Sequence, residues 1–487
     1  MLEPRPMARI ETGVPGLDTV LSGGLFRGGV YIIEGNPGAG KTMLGNQLCF
    51  HRASQGDSTI YITLLAEAHT RMIGYLRAMT FFRPDLIPSA IYYISGFKVL
   101  EQTGLEGLLK TVSDSIQQRK AQFLVLDGLV SAEEFSSSPR EYKKFIHELQ
   151  TVSGMMGCTV LLLSSADRPN AFRPEHAMVD GIIELSDTLN GVRSLRTLVV
   201  KKMRGTSPLG GRHAFEITSE GIRVRPRIEA LSHRSDELEM PATSAPFDVS
   251  GLDSMLGGGV PTQSTTIVLG PPGCGKTILG LHFLSAGLRR GEPVLYVGFY
   301  ERPGSILAKG DKLGLSLTDA RSAGSLHVQW EAPVESVIDA VVERVLDTVD
   351  RARIKRLVFD GLHGFRHRAE FAERVRTVFA SFSDELVRRG VTSIFTVDSR
   401  DVIAPAIDLP IDGISALAEN LILLRHVEIR SNIHRLVSVI KVRDRAHDGA
   451  IRRLDVSTRG ITVGDRFEGA EQVLSGSAHT TTERGER

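Results

Sequence analysis

One eight-residue motif occurs twice and constrains the fold of this chain more than any other feature. The two copies consist of Gly35, Asn36, Pro37, Gly38, Ala39, Gly40, Lys41 and Thr42, and of Gly270, Pro271, Pro272, Gly273, Cys274, Gly275, Lys276 and Thr277. Both fit the P-loop pattern G-x-x-x-x-G-K-[ST], and each lies between an apolar run and a helix-like segment. Glycine-rich turns with an incidental lysine are the alternative, but a chance match twice in the same context is implausible. The motif therefore predicts two nucleotide sites, in which backbone N–H groups and the lysine bind phosphates and the threonine hydroxyl binds Mg²⁺.

Other landmarks recur at nearly the same offset as the P-loop lysines, which are 235 residues apart. Gly16-Leu17-Asp18 recurs as Gly251-Leu252-Asp253, and Asp127 recurs as Asp360. The chain is therefore interpreted as a tandem duplication in which each half is a complete domain. We predict domains over 1–230 and 246–466, a charged and Pro/Ser/Thr-rich linker over 231–245, and a polar, disordered tail over 467–487.

Short apolar runs alternate with helical segments in each half, which predicts an α/β fold with a mostly parallel sheet covered on both faces. From about residue 182 the apolar runs lie closer together, and the same change recurs in the second half. Such short spacing predicts antiparallel hairpins at one edge of each sheet.

The amino-acid composition indicates which binding partners and which cellular compartment are expected for this protein. The 487 residues include 58 basic and 57 acidic side chains, so the net charge of +1 gives no overall attraction to nucleic acid or to anionic membranes. No apolar run approaches the length of a membrane span, and the N-terminus lacks the apolar core of a signal peptide. Cys49, Cys158 and Cys274 show no metal-ligand spacing and are expected to be reduced thiols in a cytoplasmic protein. Cys274 is either an oxidation-sensitive thiol or a tolerated small residue of the P-loop.

Four acidic residues follow apolar strands and are candidates for chemistry. Asp127 and Asp360 end their strands, which suits Mg²⁺-associated acids beside Thr42 and Thr277, although such acids also form turns. Glu67 and Glu301 follow the second strand of each half, where a carboxylate is placed to orient or deprotonate water. Solvated surface acids are the alternative for these two glutamates.

A Lys-x-Arg pair ends a late strand in each half, as Lys202 with Arg204 and as Lys441 with Arg443. Because side chains alternate along an extended segment, both cations of a pair project to one face. They are candidates for trans-acting groups that stabilise charge at the γ-phosphate of a neighbouring site. The alternative is a sheet edge protected by charge.

Together these residues resemble the KaiC family, the circadian-clock ATPases of the RecA-like superfamily. The resemblance runs from about Arg9 to Asp465 and rests on the Gly-Leu-Asp lead-in, the P-loops, the glutamates, the terminal aspartates and the Lys-x-Arg pairs. It implies two tandem RecA-like domains that assemble into a homohexamer, with ATP and Mg²⁺ between neighbouring subunits. It also implies that the Lys-x-Arg pairs reach the ATP of the adjacent subunit, and that protein signalling partners exist.

The resemblance also implies serine/threonine autokinase activity in the second domain. The sequence departs from the family pattern in three places. Ser415 falls on the serine acceptor position, but Ala416 replaces the threonine acceptor, so a two-site phosphorylation cycle is excluded. An ordinary interface serine is the alternative for Ser415. The family's Glu-Glu pair appears here as Ala66-Glu67 and Tyr300-Glu301, and Asp444 replaces the glycine after the second Lys-x-Arg pair.

The leading hypothesis is therefore a hexameric KaiC-like ATPase with serine autophosphorylation in the second domain. One alternative is a RecA-like DNA-dependent ATPase of the recombinase or helicase type, which the near-zero charge and the lack of an appended DNA-binding module disfavour. Another is an ATP-gated signalling scaffold with little kinase activity, which would need the same sites.

Overall fold

A computed structural model describes residues 8–65, 69–165, 175–231, 243–332, 337–366, 371, 373–399, 417–429, 432–443, 445–458 and 460–467. The chain separates into two compact units, residues 1–231 and residues 232–487.

The first unit is built on one large sheet, preceded by a ribbon of β1 (Arg9–Ile10) and β2 (Leu25–Phe26). The described strands of the sheet are β3 (Val30–Gly35), β4 (Thr59–Thr63), β5 (Ile91–Ser95), β6 (Phe123–Asp127), β7 (Thr159–Ser165), β8 (Gly181–Asn190), β9 (Arg193–Met203), β10 (His213–Thr218) and β11 (Gly221–Arg225). Their spatial order is β11-β10-β9-β8-β3-β7-β6-β4-β5. The strands from β8 to β5 in this order are parallel, and β9, β10 and β11 continue the sheet in antiparallel pairs.

Helices cover both faces of this sheet. They are α1 (Leu17–Val20), α2 (Lys41–Ser54), α3 (His69–Leu76), α4 (Phe97–Arg119), α5 (Leu129–Glu134), α6 (Pro139–Met156), α7 (Glu175–Met178) and α8 (Ile228–Leu231), with a 3-10 turn at Pro84–Leu86. Alternate residues of β3 enter different cores: Val30 and Ile32 pack with residues of α4 and α6, whereas Tyr31 and Ile33 pack with residues of α2. Burial on both faces explains why the parallel strands are continuous apolar runs.

The second unit repeats this architecture. Its ribbon is β12 (Ser244–Ala245) with β13 (Val260–Pro261). The described strands of its sheet are β14 (Thr265–Gly270), β15 (Val294–Gly298), β16 (Leu326–Trp330), β17 (Arg356–Asp360), β18 (Thr392–Asp398), β19 (Asn420–Ile429), β20 (Asn432–Val442), β21 (Arg452–Ser457) and β22 (Gly460–Arg466). The helices are α9 (Ser250–Met255), α10 (Lys276–Leu288), α11 (Pro303–Lys312), α12 (Leu317–Ser322), α13 (Ile338–Ala352), α14 (Leu362–Arg366) and α15 (Arg374–Arg388).

The strand order of the second sheet is β22-β21-β20-β19-β14-β18-β17-β15-β16, position for position the order of the first. In both units the P-loop strand is central, and the antiparallel strands lie on one side of it. The predicted fold class is therefore confirmed: two tandem P-loop α/β units, each with a mostly parallel sheet and antiparallel edge hairpins. None of the described helices is long and apolar enough to span a membrane.

Candidate nucleotide-binding sites

Each P-loop connects the central strand of its sheet to the helix that follows. In the first unit Gly38 and Gly40 have φ values of 82° and 100°, a left-handed conformation that glycine adopts without steric cost. A Cβ built on Gly38 would meet nothing within 4 Å, so the apex of the loop faces open space. Lys41 Nζ folds back and donates to the carbonyl oxygens of Gly35 at 2.6 Å and Asn36 at 3.0 Å. The loop thus has the concave backbone and the adjacent ammonium group that polyphosphates require.

An aspartate holds the P-loop threonine in the first unit. Thr42 Oγ1 donates to Asp127 Oδ2 at 3.0 Å because β6 ends close to the start of α2. Tyr61, on the neighbouring strand β4, donates its hydroxyl to the same oxygen at 2.6 Å. Burial and then the Asp127 carboxylate raise the pKa of Tyr61 well above its usual value, so the phenol stays a hydrogen-bond donor.

The second unit repeats this arrangement and adds a donor. Thr277 Oγ1 donates to Asp360 Oδ2 at 2.8 Å, and Tyr296 on β15 donates to the same oxygen at 2.6 Å. Burial and then Asp360 raise the pKa of Tyr296. Thr396 on β18 donates to the other oxygen, Asp360 Oδ1, at 2.5 Å. The register places Leu163 at the corresponding position of the first unit, so the two sites are not identical.

The donor set fits Mg²⁺. In each unit a threonine hydroxyl and a carboxylate, both hard oxygen ligands, lie together beside the phosphate-binding loop. Among the described residues no group of three or more His, Cys, Asp or Glu side chains could enclose a metal. Mg²⁺ does not need such a group, because it usually keeps several waters and is held by one or two protein oxygens together with substrate phosphates.

A cavity of about 320 Å³ lies in front of the second P-loop. Glu301 lines it together with Lys276, Thr277 and Asp360. Glu301 Oε1 lies 2.5 Å from Lys309 Nζ on α11, and Ser305 Oγ donates to Glu301 Oε2 at 3.2 Å. The structure thus brings Glu301 into the site, but holds its carboxylate in an ion pair. Sequence reasoning did not identify Lys309, whose only signal is its position on the helix after Glu301.

The Lys-x-Arg pair of the first unit lies at the end of β9. Lys202 Nζ donates to the carbonyl oxygens of His176 and Ala177, and Arg204 donates to those of Ala177 and Met178. Burial and then the neighbouring Arg204 lower the pKa of Lys202. Both cations therefore lie on one side of the strand end, as the alternation of side chains predicts, and contact the backbone at α7.

The second pair also contacts the segment that precedes the neighbouring strand. Lys441 Nζ donates to the carbonyl oxygen of Ala418 at 2.8 Å, and Arg443 lies 3.7 Å from Glu419 Oε1. A register shift between neighbouring strands precedes each pair, between Ile182 and Ile183 and between Leu421 and Ile422. Such bulges redirect side chains at a strand end.

Several predicted residues lie outside the part of the chain that the structure describes. These are Glu67, Ser415 with its neighbour Ala416, Asp444, most of the predicted linker and residues 468–487. The three cysteines are described, and all are buried without disulfide bonds. Burial raises the pKa of the Cys274 thiol, which disfavours the thiolate at that position.

The repeated loop, the threonine-aspartate pair and the sheet order define the class of protein: a tandem P-loop protein of the RecA-like type. The family model described as "ATPase: KaiC" matches residues 10–229 and 245–468, which is more than half of the chain. The chain therefore belongs to the KaiC ATPase family and has two ATPase-type domains, which confirms the family resemblance.

Curated relatives agree over nearly the full length. The circadian clock oscillator protein KaiC of Picosynechococcus sp. is 24% identical over 481 residues, which are 96% of this chain and 92% of that protein. The protein of the same name from Synechococcus elongatus is 24% identical, over 98% of this chain and 92% of its own length. Circadian clock oscillator protein KaiC 1 of Synechocystis sp. is 23% identical, over 96% and 91% respectively.

Proposed function

We propose that this protein binds Mg²⁺-ATP at both P-loops and hydrolyses it as a homohexamer, with autophosphorylation of Ser415 in the second domain. The observation that carries the proposal is the threonine-aspartate-tyrosine arrangement, which recurs beside both P-loops in a chain of the KaiC ATPase family. Residues 35–42 and 270–277 would hold the phosphates.

Mg²⁺ bound beside these loops would neutralise phosphate charge during transfer. Thr42 with Asp127, and Thr277 with Asp360, are the residues that would hold it. Tyr61 and Tyr296 orient the two carboxylates by donating to one oxygen of each. A fixed carboxylate binds a cation better than a rotating one, because less orientational freedom is lost on binding.

We propose that Glu67 and Glu301 orient or deprotonate the attacking group, water for hydrolysis and the Ser415 hydroxyl for phosphorylation. Glu301 can do this only after its carboxylate leaves Lys309, because the ion pair occupies one of its oxygens. Entry of nucleotide phosphates, which compete for the lysine, would release the glutamate. The base would therefore become available when its substrate is present.

We propose that Lys202 with Arg204, and Lys441 with Arg443, act on the nucleotide of the adjacent subunit. In support, the Arg204 and Arg443 side chains are 53% and 48% exposed, so a neighbour can reach them. Both arginines contact backbone carbonyls or carboxylates of partly exposed segments. A negatively charged phosphate can take the place of these oxygen atoms as the partner of the guanidinium group.

The tyrosine hydrogen bonds predict a measurable change in the Mg²⁺ requirement. In a chain with both Tyr61→Phe and Tyr296→Phe, we expect ATP binding to need on the order of tenfold more Mg²⁺, because outer-shell donors contribute this much to metal affinity. Equilibrium ATP binding titrated with Mg²⁺ measures the change. Tyr93→Phe is the control, because its hydroxyl donates to Asn46 rather than to an aspartate. An unchanged Mg²⁺ requirement in the double variant would contradict the positioning role.

Phosphosite mapping tests the kinase activity. After incubation with Mg²⁺-ATP, mass spectrometry is expected to find phosphate on Ser415, and native mass spectrometry of the same sample is expected to find a hexamer. Ser415→Ala should remove the phosphate and leave ATP hydrolysis measurable. Glu301→Gln should abolish phosphorylation while ATP still binds, because the amide is no base.

Two results would reject parts of this proposal. Unchanged phosphate incorporation in Glu301→Gln would reject the base role of Glu301. A hydrolysing protein with no phosphate on any residue would favour an ATP-gated scaffold over an autokinase.

A further inference from the structure

A histidine lies beside the strand that leads into the first P-loop. His176 is on α7, and its Nε2 atom lies 3.2 Å from Oε2 of Glu34, the last residue of β3 before the P-loop begins. Glu34 is buried, whereas the imidazole side chain is 30% exposed. Because an ionised carboxylate can only accept a hydrogen bond, it favours the ring with its hydrogen on Nε2 and leaves the lone pair on Nδ1.

The Lys-x-Arg pair of the first unit meets α7 at the same histidine. Lys202 Nζ donates to the carbonyl oxygen of His176 at 2.7 Å, and Arg204 donates to that of the next residue, Ala177, at 2.7 Å. Under the proposed function, these two cations meet the γ-phosphate of the nucleotide in the adjacent subunit. His176 therefore lies next to the groups that would meet that phosphate. A neutral imidazole already has a lone pair and can act as a nucleophile there.

The corresponding sequence position in the second unit is that of Ser415. Ile182 and Leu421 are corresponding residues, because each immediately precedes the register shift of its hairpin. His176 lies six residues before Ile182. Ser415 lies six residues before Leu421. The first unit thus has an imidazole at the position where the second has the hydroxyl that is proposed to accept a phosphoryl group.

The residue that precedes each P-loop differs between the units in a matching way. In the first unit the parallel register places Glu34 beside Glu184, whose own carboxylate forms an ion pair with Lys201. In the second unit the same register places Leu269 beside Leu423. The unit that has a histidine at the acceptor position therefore also has a buried carboxylate to assist it, and the unit that has a serine there has leucine instead.

We propose that the first domain phosphorylates itself on His176, using ATP bound at the P-loop of the adjacent subunit. The Nδ1 lone pair forms a bond to the γ-phosphorus as the bond from that phosphorus to the β,γ-bridging oxygen breaks, and ADP leaves with the electron pair of the broken bond. The ring keeps its proton on Nε2, where Glu34 faces the positive charge that the ring acquires. Lys202 and Arg204 neutralise the phosphoryl oxygens. The inference rests on the proposed function, because it needs ATP at the first P-loop and the trans placement of the Lys-x-Arg pair.

The chemical stability of the bound phosphate distinguishes this site from Ser415. A phosphorus–nitrogen bond survives alkali and breaks in acid, because protonation makes the ring a good leaving group, whereas phosphoserine survives acid. The full-length chain is incubated with Mg²⁺-ATP radiolabelled in its γ-phosphate at about pH 8, where an ordinary imidazole is neutral. We expect label that is stable to alkali and labile to acid, and mass spectrometry of peptides kept alkaline should place it on His176. His176→Gln and Lys41→Ala should lack this label, and Glu34→Gln should acquire it about tenfold more slowly.

His147→Gln is the control, because His147 is an exposed histidine on α6 of the same unit, and its acid-labile label should equal that of the unaltered chain. Thermal unfolding and ATP binding show whether His176→Gln is folded; if it is not, the position of the phosphate mapped in the unaltered chain decides. Hydrolysis of ATP without any acid-labile label overturns the inference and leaves the proposed ATPase intact, and label that persists in His176→Gln also overturns it. A chain that neither hydrolyses ATP nor takes up label contradicts the proposed function as well.

Discussion

A chain that carries both Lys41→Ala and Lys276→Ala is expected to hydrolyse ATP at least about a hundredfold more slowly than the unaltered protein. Each lysine is the cation that its P-loop provides for the outer phosphates, and in the described structure each Nζ lies against the carbonyl oxygens at the start of its loop. Alanine removes that charge where negative charge develops during transfer. Phosphate release at saturating Mg²⁺-ATP measures the loss.

The single variants divide this effect between the domains. Lys41→Ala leaves only the lysine of the second P-loop and Lys276→Ala only that of the first, so the hydrolysis that each single variant retains measures the contribution of the domain with the intact lysine. Lys144→Ala is the matched control, because its exposed ion pair with Glu148 on α6 contributes little to stability. Hydrolysis by the double variant at the rate of this control would mean that catalysis occurs elsewhere in the chain.

The sheets could be predicted well from the sequence where their strands are buried on both faces. Such strands are unbroken apolar runs, as in 30–33 and 123–126, and the P-loops fix which of them are central. β5 (Ile91–Ser95) was not predicted, because an edge strand buries only part of its surface and gives a weaker pattern. In α4 (Phe97–Arg119), helical spacing of apolar residues is recognisable in the sequence only from Gly107 onward, because the non-helical residue Gly104 interrupts the periodicity.

The sequence predicts those residues of the candidate sites that belong to a local motif, but not the contacts that these residues make with neighbouring strands. The sequence gives no direct sign that Tyr61 meets Asp127, because that contact depends on β4 lying beside β6 in the sheet. Thr396 and Asp398 were missed for the same reason: both lie on β18, and their contacts with Asp360 and Lys276 depend on the position of β18 between β17 and β14. Strand order and register, which local patterns do not determine, therefore decide how the two sites differ.

The largest effect of a residue outside the P-loops is expected for Arg204. In a Lys276→Ala background, which isolates the first site, Arg204→Ala is expected to lower ATP hydrolysis about a thousandfold while ATP binding changes little. An arginine that reaches a phosphate stabilises mainly the charge of the transition state, so its loss affects the rate more than the affinity. Arg196→Ala is the matched control, because Arg196 lies on β9, the strand that Arg204 directly follows, and forms an ion pair with Asp187.

Mixing two inactive chains then decides whether Arg204 acts on its own subunit or on a neighbour. One chain carries Lys41→Ala and the other Arg204→Ala, both in the Lys276→Ala background, and the two are unfolded or dissociated and reassembled together. If Arg204 acts in trans, interfaces that combine the intact P-loop of one chain with the intact arginine of the other recover hydrolysis. If it acts in cis, every site in the mixture lacks one of the two groups, and the mixed assembly stays as inactive as its components. Recovery would therefore make assembly a requirement of the chemistry, because a P-loop alone would be only part of a site.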